Sequence, residues 1–470
     1  MKNIITVFSE IVGYYGKRVA VIYEEKEYTY EQLNDYSDYV AQKVGEVADK
    51  GDRIGICVER SFLLIASILG VLKAGMSYVP LDKKYPQARL KYMCQEANVA
   101  CVIYLEDSGL MIKNSNLYEE KEVDFCHDKI EGESSEAYVI FTSGSSGKPK
   151  GVSVNQSSIM NTLLWRINYY SLKPEDRVLQ IPSISYSSSV EDIFSTLLSG
   201  GALVMISQRD LLNVRKMAKY IIEYEVTHLL LIPSLYNEII PHVINSKLRF
   251  VVVAGEALPV QVVKRHYKYM GNVFLYNEYG MTETSVAFSA GLISPYETRC
   301  MIGKPISNMD YELINMEDGV GELVARGVGV ASGYLNRNFG NRFIFDKTIR
   351  KFLTGDLVRE DVDGNLIYCG RKDSQIKING KRFDLLEISN ILKQELDIDA
   401  AVIIQSINII VCFVSLGEYK YTEEEIENIL KDRIPIDFLP DKYNMVEQIF
   451  KLPNGKIDYN KLKEYEKGKS

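Results

Sequence analysis

The chain has 470 residues and a net charge of −8, and hydrophobic residues make up 46% of it. Such a length suffices for about three units of ordinary domain size, and such a composition is typical of a soluble globular protein. The negative charge argues against nucleic acid and anionic membranes as partners, because a polyanion would repel the chain as a whole.

Cysteine and histidine usage argues against disulfide and metal frameworks. The seven cysteines are scattered, odd in number and without a Cys-x-x-Cys pair, and the four histidines form no ligand pair. We therefore expect reduced thiols and no histidine-based metal site. The first residues are too polar for a signal peptide, and no apolar run reaches membrane-spanning length. The sequence predicts a cytoplasmic protein without a membrane partner.

Short apolar runs alternate with helical patterns between residues 52 and 270. Buried parallel strands have this near-continuous apolar character, so we expect an α/β core with more than one sheet. Helices are predicted at 213–224 and 234–244, and strands at 53–58, 100–104, 138–141, 178–181, 202–206, 228–232 and 249–254.

Two further regions follow along the chain. From about residue 300 to 368, short strands alternate with Gly- and Asp-rich turns, as in a small β-rich subdomain. After a charged turn at 370–373 the pattern predicts a small α+β unit, with helices at 385–395 and 423–432 and strands at 400–404 and 409–415. The predicted domains are therefore residues 1–372 and 373–470.

The segment 138–151 (YVIFTSGSSGKPKG) runs from a predicted strand into a loop of hydroxyl groups, glycines and lysines. Glycine lets backbone N–H groups approach a phosphate closely, hydroxyls donate further hydrogen bonds, and lysine neutralises charge. It is not a Walker A loop, whose glycines enclose four residues and whose lysine precedes Ser or Thr. A Gly/Ser loop alone is more often a flexible turn, but the full run indicates phosphate binding. The candidate ligands are Thr142, Ser143, Gly144, Ser145, Ser146, Gly147 and Lys150.

Further segments, in order along the chain, share the pattern of one superfamily. They are YTYEQL (28–33), LKAGMSYVPLD (72–82), GELVARGVGVASGYL (321–335), TGDL (354–357), GRKDSQIKINGKR (370–382) and PNGKID (453–458). Together with the loop they resemble the motifs of adenylate-forming enzymes: nonribosomal peptide synthetase adenylation domains, acyl-CoA synthetases and luciferases. The form of 72–82 is similar to amino-acid-type domains rather than acyl-CoA synthetases. The chain therefore resembles a stand-alone adenylation domain of the peptide synthetase type.

The resemblance implies an α/β fold whose large N-terminal adenylation core binds ATP and the acid. This core would hold two α/β sheet subdomains and a small β-rich subdomain, and a mobile α+β lid would follow it.

It also implies ATP and Mg²⁺ as cofactors, bound partly by the segment NEYGMTE (277–283). Asn277 would read the adenine edge and Tyr279 would stack on the ring. Thr282 would touch phosphate, and Glu283 would hold Mg²⁺, since a hard dication suits carboxylate and phosphate oxygens. Further nucleotide contacts are assigned to Gly255, Glu256, Ala257, Glu278, Gly280, Asp356 and Arg371.

Lys456 matches the catalytic lysine of the superfamily. The acid carboxylate attacks the α-phosphorus and pyrophosphate leaves, so a cation touching both anionic reactants would offset their repulsion. Thr282 and Glu283 would assist it. The resemblance further implies a lid that rotates about Asp373 after adenylation and presents Lys377 and Gly380 to the acyl acceptor.

The segment 186–194 departs from the pattern of α-amino acid activators. Those enzymes carry an aspartate for the substrate ammonium where this chain has Ser187. A desolvated ammonium without a carboxylate partner costs several kcal/mol, so a standard α-amino acid is not expected. The matched pocket residues are Tyr186, Ser187, Ser188, Glu191, Val252, Ala254, Glu278, Val286 and Ala287.

The acidic residues Glu191 and Glu278 suggest a remote amine, guanidine or hydroxyl on the substrate, because buried carboxylates need a donor. We therefore expect a β- or ω-amino acid, or a hydroxylated or aryl acid. The alternative is that either glutamate faces solvent or pairs with a cation of the protein itself.

The resemblance implies transfer of the acyl group to a phosphopantetheine thiol. The sequence ends soon after Lys456 without a carrier segment, so a separate carrier protein is expected. Leu386 stands where the superfamily usually has glycine, near the face used for thioester formation. An acyl- or aryl-CoA ligase and an amide ligase of the same fold are the alternatives. A non-catalytic nucleotide-binding homologue is disfavoured by the intact set Lys150, Glu283, Asp356, Arg371 and Lys456.

Overall fold

The computed structural model of the chain describes most of its length. The described residues are 2–106, 109–114, 136–144, 148–335, 342–346, 349–372, 375–378, 381–405, 409–415, 421–451 and 457–468. No helix within these ranges has the length and the apolar character needed to cross a membrane.

The chain forms two compact units. The first comprises Met1–Asp82, Ala97–Ile140 and Gly151–Lys372, and the second comprises Lys83–Glu96, Phe141–Lys150 and Asp373–Ser470. Two segments from the first third of the chain thus belong to the second unit, which the sequence did not suggest. The predicted domains 1–372 and 373–470 stay a prediction.

Helices occur in both units. In chain order they are α1 Ile4–Tyr15, α2 Tyr30–Gly45, α3 Phe62–Lys73, α4 Gln87–Glu96, α5 Gln156–Tyr169, α6 Ser188–Leu198, α7 Gln208–Leu211, α8 Val214–Glu223, α9 Pro233–Ile239, α10 Val260–Tyr269, α11 Leu386–Leu396, α12 Glu423–Lys431 and α13 Tyr459–Lys467.

The strands are short, as the apolar runs predicted. They are β1 Val19–Tyr23, β2 Lys26–Thr29, β3 Arg53–Cys57, β4 Ser77–Pro80, β5 Val99–Glu106, β6 Gly109–Asn114, β7 Glu136–Thr142, β8 Lys150–Asn155, β9 Arg177–Gln180, β10 Ala202–Met205, β11 His228–Leu231, β12 Phe250–Ala254, β13 Phe274–Met281, β14 Val286–Leu292, β15 Met301–Pro305, β16 Met309–Glu317, β17 Val320–Gly327, β18 Gly333–Tyr334, β19 Phe343–Asp346, β20 Ile349–Glu360, β21 Leu366–Arg371, β22 Gln375–Ile378, β23 Lys381–Asp384, β24 Asp399–Ile404, β25 Ile410–Ser415 and β26 Lys442–Val446.

The longest sheet has the order β16-β17-β20-β21-β15-β14-β13-β12-β11-β9-β10-β1-β2, and β19 adds to β20. Its central strands β13, β12, β11, β9, β10 and β1 run parallel. A second sheet has the order β18-β8-β7-β4-β3-β5-β6. The expected α/β fold with two sheets is therefore confirmed, and the antiparallel strands β15–β17 and β19–β21 form the expected β-rich part.

Helix α6 is the most deeply buried element near the candidate site. All its residues after Ser188 are buried, including the acidic pair Glu191 and Asp192. Its apolar side chains Val190, Ile193 and Phe194 belong to one large core cluster with those of α1, α2 and α3. A helix that is buried all round is held by packing on every face, so α6 places its carboxylates in a rigid setting.

The second unit contains an α+β core. Strands β24, β25 and β26 form a three-stranded sheet, and β22 pairs with β23 as a separate hairpin. Helices α11 and α12 pack on the three-stranded sheet through Ile388, Leu392, Ile426 and Leu430. This is the small α+β architecture that the pattern of the last hundred residues predicted.

His266 on α10 is buried in the first unit with both ring nitrogens hydrogen-bonded. Nε2 donates to the carbonyl oxygen of Val273 at 2.8 Å, so Nδ1 accepts from the hydroxyl of Tyr236 at 2.6 Å. Burial lowers the pKa of His266 from 6.5 to about 4, and the hydrogen bond to Val273 opposes this only in part. The folded protein therefore keeps this ring neutral where an unfolded chain takes up a proton.

We expect acid to destabilise the first unit through His266. As pH falls from 6.5 to about 4, the unfolded state binds the extra proton, so the free energy of unfolding should drop by up to about 3 kcal/mol. Thermal unfolding midpoints measured across this range report the loss. His266→Gln should flatten the profile, whereas His242→Gln, at an exposed histidine, should leave it unchanged. Parallel profiles for wild type and His266→Gln would contradict this account.

Candidate active site

Strand β13 carries the nucleotide motif predicted from the sequence. Successive side chains of a strand point to opposite faces, so Asn277 and Tyr279 share one face while Glu278 and Gly280 share the other. A bulge separates Tyr279 from Gly280. A Cβ at Gly280 would lie 1.7 Å from the carbonyl oxygen of Val286, so only glycine fits here. The motif thus sends adjacent residues to two different environments.

Tyr279, Asp356 and Arg371 form a buried network on the first of these faces. The Tyr279 hydroxyl donates to Asp356 Oδ2 at 2.5 Å, and Arg371 Nη1 donates to Asp356 Oδ1 at 2.6 Å. Burial, followed by the charge of Asp356, holds the pKa of Tyr279 well above 10. The register of β20 with β21 sets Asp356 opposite Arg371. The predicted ribose-binding carboxylate is therefore fixed in position by two other predicted nucleotide residues.

Asn277 and the turn after β12 occupy defined positions in the same unit. The side-chain amide of Asn277 donates to the carbonyl oxygen of Met301 at 2.7 Å. Gly255 follows β12 with a φ of +87°, a conformation that favours glycine. Glu256 accepts a hydrogen bond from the backbone N–H of Ser234 at 3.2 Å, and Ala257 follows it in the turn. Their proposed contacts with adenine stay predictions.

Thr282 and Ser187 bring the nucleotide motif and the acid pocket together. The Thr282 hydroxyl donates to Ser187 Oγ at 3.3 Å. Ser187 directly precedes α6. It lies within a turn in which the Ser189 N–H donates to the Tyr186 carbonyl oxygen at 3.0 Å. The end of β13 and the start of α6 are therefore adjacent at two residues with predicted roles.

Glu283 fits the role predicted for a magnesium ligand. Its side chain is buried, and Oε1 accepts a hydrogen bond from the Tyr334 hydroxyl at 2.9 Å, which orients the carboxylate. A carboxylate oxygen is the donor that Mg²⁺ prefers. Among the described residues no cluster of three or more His, Cys, Asp or Glu forms a metal centre, so Glu283 would share the ion with phosphate oxygens.

Val252 and Ala254, two of the predicted acid-pocket residues, share one face of β12. The register places Val252 beside Tyr276 and Ala254 beside Glu278. Val286 and Ala287, at the start of β14, are buried close to Gly280. Ser188 and Glu191 lie in the first turn of α6, with Glu191 one turn after Ser187.

Arg166 on α5 is the cation that the sequence left open. It is fully buried, its Nη1 donates to Glu278 Oε1, and the same Nη1 lies 3.8 Å from Glu191 Oε1. The Tyr170 hydroxyl also donates to Glu278 Oε1, at 2.7 Å. Of the interpretations offered for Glu278, the structure shows the one in which it pairs with a cation of the protein itself. The signal was an arginine seven residues after Ile159, in line with the apolar face of α5.

Burial dominates the protonation of this charged cluster. It raises the pKa of Glu191 well above its usual range, helped by the charge of Glu278 and opposed by Arg166. It also raises the pKa of Asp192 to about 7, opposed by Arg166 and Arg60. Both carboxyl groups therefore hold protons at a pH where exposed ones are ionised.

The phosphate loop lies in the second unit. Thr142 ends β7, Ser143 and Gly144 follow, and Lys150 begins β8. A Cβ at Gly144 would lie 2.2 Å from the carbonyl oxygen of Lys148, so the loop needs glycine there. The predicted ligands Ser145, Ser146 and Gly147 lie outside the described residues, as do Asp373, Gly380 and Lys456. Lys377 is on β22, but its side chain is not among the parts described. Their roles stay predictions.

Glu387 on α11 contacts this loop within the same unit. It accepts a hydrogen bond from the Gly144 backbone and pairs with Arg89 of α4 at 3.1 Å. Burial raises its pKa, and Arg89 opposes the rise. Both side chains are almost inaccessible to solvent. The ion pair thus links α4, the phosphate loop and α11, three segments that are far apart in sequence.

Arg89→Met should destabilise the second unit by about 3–5 kcal/mol, because it leaves the Glu387 carboxylate buried without its counter-ion. Hydrogen exchange of the amides in β24 and β25 measures the effect locally. Lys431→Met is the matched control: Lys431 pairs with Glu427 at 2.9 Å on the surface of α12, so its loss should cost less than about 1 kcal/mol. Equal effects of the two variants would contradict the assignment of a buried pair.

Comparison with known proteins adds to this geometry. The family model described as "AMP-binding enzyme" matches residues 8–335. Bacitracin synthase 3 of Bacillus licheniformis is 37% identical over 506 residues, which cover 98% of this chain and 8% of that protein. The chain therefore spans a small part of this relative's length.

Solved structures share the fold. One is NpsA-ThdA, an artificially fused adenylation–PCP di-domain peptide synthetase protein from Klebsiella oxytoca, with a TM-score of 0.80, 23% identity and 94% of each chain covered. Another is the amide bond synthetase McbA from Marinactinospora thermotolerans, with a TM-score of 0.84, 20% identity and 99% of each chain covered. At these identities the likeness concerns the fold alone.

Proposed function

Since the chain belongs to the AMP-binding enzyme family, which forms adenylates, we propose that it activates a small carboxylic acid as an acyl-AMP and passes the acyl group to a carrier thiol. The carrier would be a separate phosphopantetheinylated protein. The observation that carries this proposal is the 3.3 Å contact between Thr282 and Ser187. It joins the strand of the nucleotide motif to the start of the acid pocket, as transfer between nucleotide and acid requires.

The first half-reaction joins acid and nucleotide. A carboxylate oxygen of the acid attacks the α-phosphorus of ATP, the bond from that phosphorus to the β-bridging oxygen breaks, and pyrophosphate leaves with the electron pair. Asp356 would accept hydrogen bonds from the ribose hydroxyl groups, and the hydrogen bond from Arg371 would keep its carboxylate oriented. Lys456 would neutralise the approaching anions. Bound Mg²⁺ would neutralise phosphate charge, and Glu283 would hold it.

The second half-reaction moves the acyl group. The carrier thiol loses its proton to solvent, its sulfur attacks the acyl carbon, and the bond from this carbon to the phosphate oxygen breaks, releasing AMP. The carrier domain in NpsA-ThdA supports a carrier thiol as acceptor. McbA is an amide bond synthetase of the same fold, and it supports an amine as the alternative acceptor.

The substrate should lack an α-ammonium group. Ser187 offers a neutral hydroxyl where an α-amino acid activator has a carboxylate, and its neighbour Thr282 is also neutral. An ammonium buried between two hydroxyls would have no counter-ion. Among the acids considered from the sequence, hydroxylated, aryl and β- or ω-amino acids satisfy this condition. The pairing of Glu278 with Arg166 and Tyr170 weakens the case for the amino acids.

An ATP–pyrophosphate exchange screen across acid classes tests adenylation. We expect exchange with acids that lack an α-ammonium group and at least tenfold lower kcat/KM with their α-amino counterparts. Lys456→Ala should abolish exchange and serves as the inactive control. Best exchange with ordinary α-amino acids would overturn the substrate assignment, and exchange with no acid would overturn the enzymatic assignment.

The acceptor is tested separately with the best acid. The enzyme is offered a phosphopantetheinylated carrier protein, coenzyme A and a simple amine in turn. We expect the rate of product formation with the carrier protein to be at least tenfold higher than with either of the others. Mass spectrometry of the loaded carrier identifies the thioester. Faster product formation with coenzyme A or with the amine would assign the chain to the corresponding ligase type.

A further inference from the structure

In the part of the chain that the structure describes, Arg166 and the two glutamates beside it have four buried polar atoms without a hydrogen-bond partner. They are Nε and Nη2 of Arg166, Oε2 of Glu191 and Oε2 of Glu278. All three side chains are almost completely inaccessible to solvent. Buried polar atoms are rarely left unpaired, since each unmade hydrogen bond costs free energy. The cluster therefore offers both free donors and free acceptors to a further group.

The unpartnered atoms include donors and acceptors. The nitrogens of Arg166 can only donate, and the free oxygens of Glu191 and Glu278 can accept. An ammonium group offers donors but no acceptor, so it would leave Arg166 unsatisfied and add a second cation beside it. A carboxylate offers acceptors but no donor, and it would add negative charge beside two glutamates. A neutral group that both donates and accepts satisfies the whole cluster.

The charges around the cluster favour the same conclusion. Burial raises the pKa of Glu191 well above its usual range, and Arg166 pairs directly with Glu278. Arg60 is occupied by the backbone carbonyl groups of residues 180–182 and 206. Burial and the nearby arginines lower the pKa of His228 well below 6.5, so its ring is neutral. Asp192 is buried beside Arg166 and Arg60, and both arginines counteract the rise of its pKa to about 7, so this carboxyl group already has cations of the protein near it.

The cluster lies where the far end of an acid substrate would reach. Glu191 follows Ser187 by one turn of α6, and Ser187 marks the end nearest the nucleotide motif. Ala254 sits beside Glu278 in the register of β12 and β13, and Val252 is two residues deeper on the same face. A short, unbranched acid would therefore pass small apolar side chains before its end meets Arg166.

We propose that the pocket takes an acid whose far end is a neutral group that donates and accepts hydrogen bonds, first of all a primary carboxamide, held between Arg166 and the two glutamates. The inference rests on the proposed function, because it concerns the acid that this site would adenylate. Arg166 becomes a specificity-determining residue, and the remote end of the acid is an amide or hydroxyl rather than an amine.

An isosteric acid series in pyrophosphate exchange tests the proposal. Succinamic acid carries the carboxamide, 3-carbamimidoylpropanoic acid the cationic amidine, succinic acid the carboxylate and 4-methylpentanoic acid the apolar isopropyl group, at one size and shape. 4-Hydroxypentanoic acid supplies a hydroxyl. Each series is repeated with one carbon fewer and one carbon more, and binding of every acid is measured by calorimetry in parallel.

We expect the carboxamide to exceed the amidine, carboxylate and isopropyl acids by about 100-fold in kcat/KM, since a buried polar site rejects analogues that leave it unpaired. The hydroxyl acid should rank second. Higher activity with the amidine, the carboxylate or the isopropyl acid would overturn the inference while leaving adenylation intact. A hydroxyl acid that ranks first would retain the neutral end group and overturn the preference for the carboxamide.

Asparagine separates this inference from the function on which it rests, because it differs from succinamic acid only in its α-ammonium group. A higher kcat/KM for asparagine than for succinamic acid would support the carboxamide end group. It would overturn the proposal that the substrate lacks an α-ammonium group. Neither exchange nor calorimetric binding with any acid would overturn the proposed function, and the inference with it.

Variants of the pair then test Arg166 itself. Arg166→Met/Glu278→Leu replaces the ion pair with apolar side chains of similar size, which buried sites often tolerate. In this double variant the ratio of kcat/KM for 4-methylpentanoic acid to that for succinamic acid should rise by about 100-fold. Glu191→Gln introduces a neutral side chain of similar size and should retain the preference for the carboxamide. Circular dichroism and the thermal midpoint establish that both variants fold. An unchanged preference in the double variant would overturn the role of Arg166.

Discussion

The ion pair of Arg166 with Glu278 constrains the core of the first unit. It connects α5 to β13, and Tyr170 and the neighbouring Glu191 extend the connection to α6. Two charges removed from water stabilise a protein little, since desolvation offsets their attraction. The two side chains must nevertheless meet in the core, because either charge buried without its partner would cost several kcal/mol of folding free energy. The pair therefore contributes more to the uniqueness of this packing than to its free energy.

Strand β13 presents its residues to two different environments because a pleated strand alternates its faces. Asn277 and Tyr279 point to the side of Met301 and Asp356, whereas Glu278 points to Arg166. The register with β14 shifts between Tyr279 and Gly280, and the backbone of Val286 approaches Gly280 closely, just before the turn with Thr282. The residues predicted to bind nucleotide and acid thus alternate along β13, and a one-residue slip of the strand would exchange their faces.

The sequence predicted what depends on local order and failed on pairings between distant segments. Strands such as β11 and β12 were found almost at their predicted bounds, since their apolar runs are continuous, and ordered motifs identified the superfamily. Arg166 and Arg89 were missed because their partners, Glu278 and Glu387, lie more than a hundred residues away. The position of Arg166 in line with the apolar face of α5 is a weak local signal, because a long arginine side chain at such a position can also extend its charged end to solvent.

The division of the chain into units bears on how the protein folds during synthesis. Two pieces of the second unit, Lys83–Glu96 and Phe141–Lys150, leave the ribosome long before its last piece, which begins at Asp373. Until then Arg89 has no Glu387 to meet. Closing so long a loop costs entropy that only the finished chain recovers. The segment Phe141–Lys150, which carries the predicted phosphate loop, therefore belongs to the part of the protein that matures last, after strands β12 to β14 of the first unit have been synthesised.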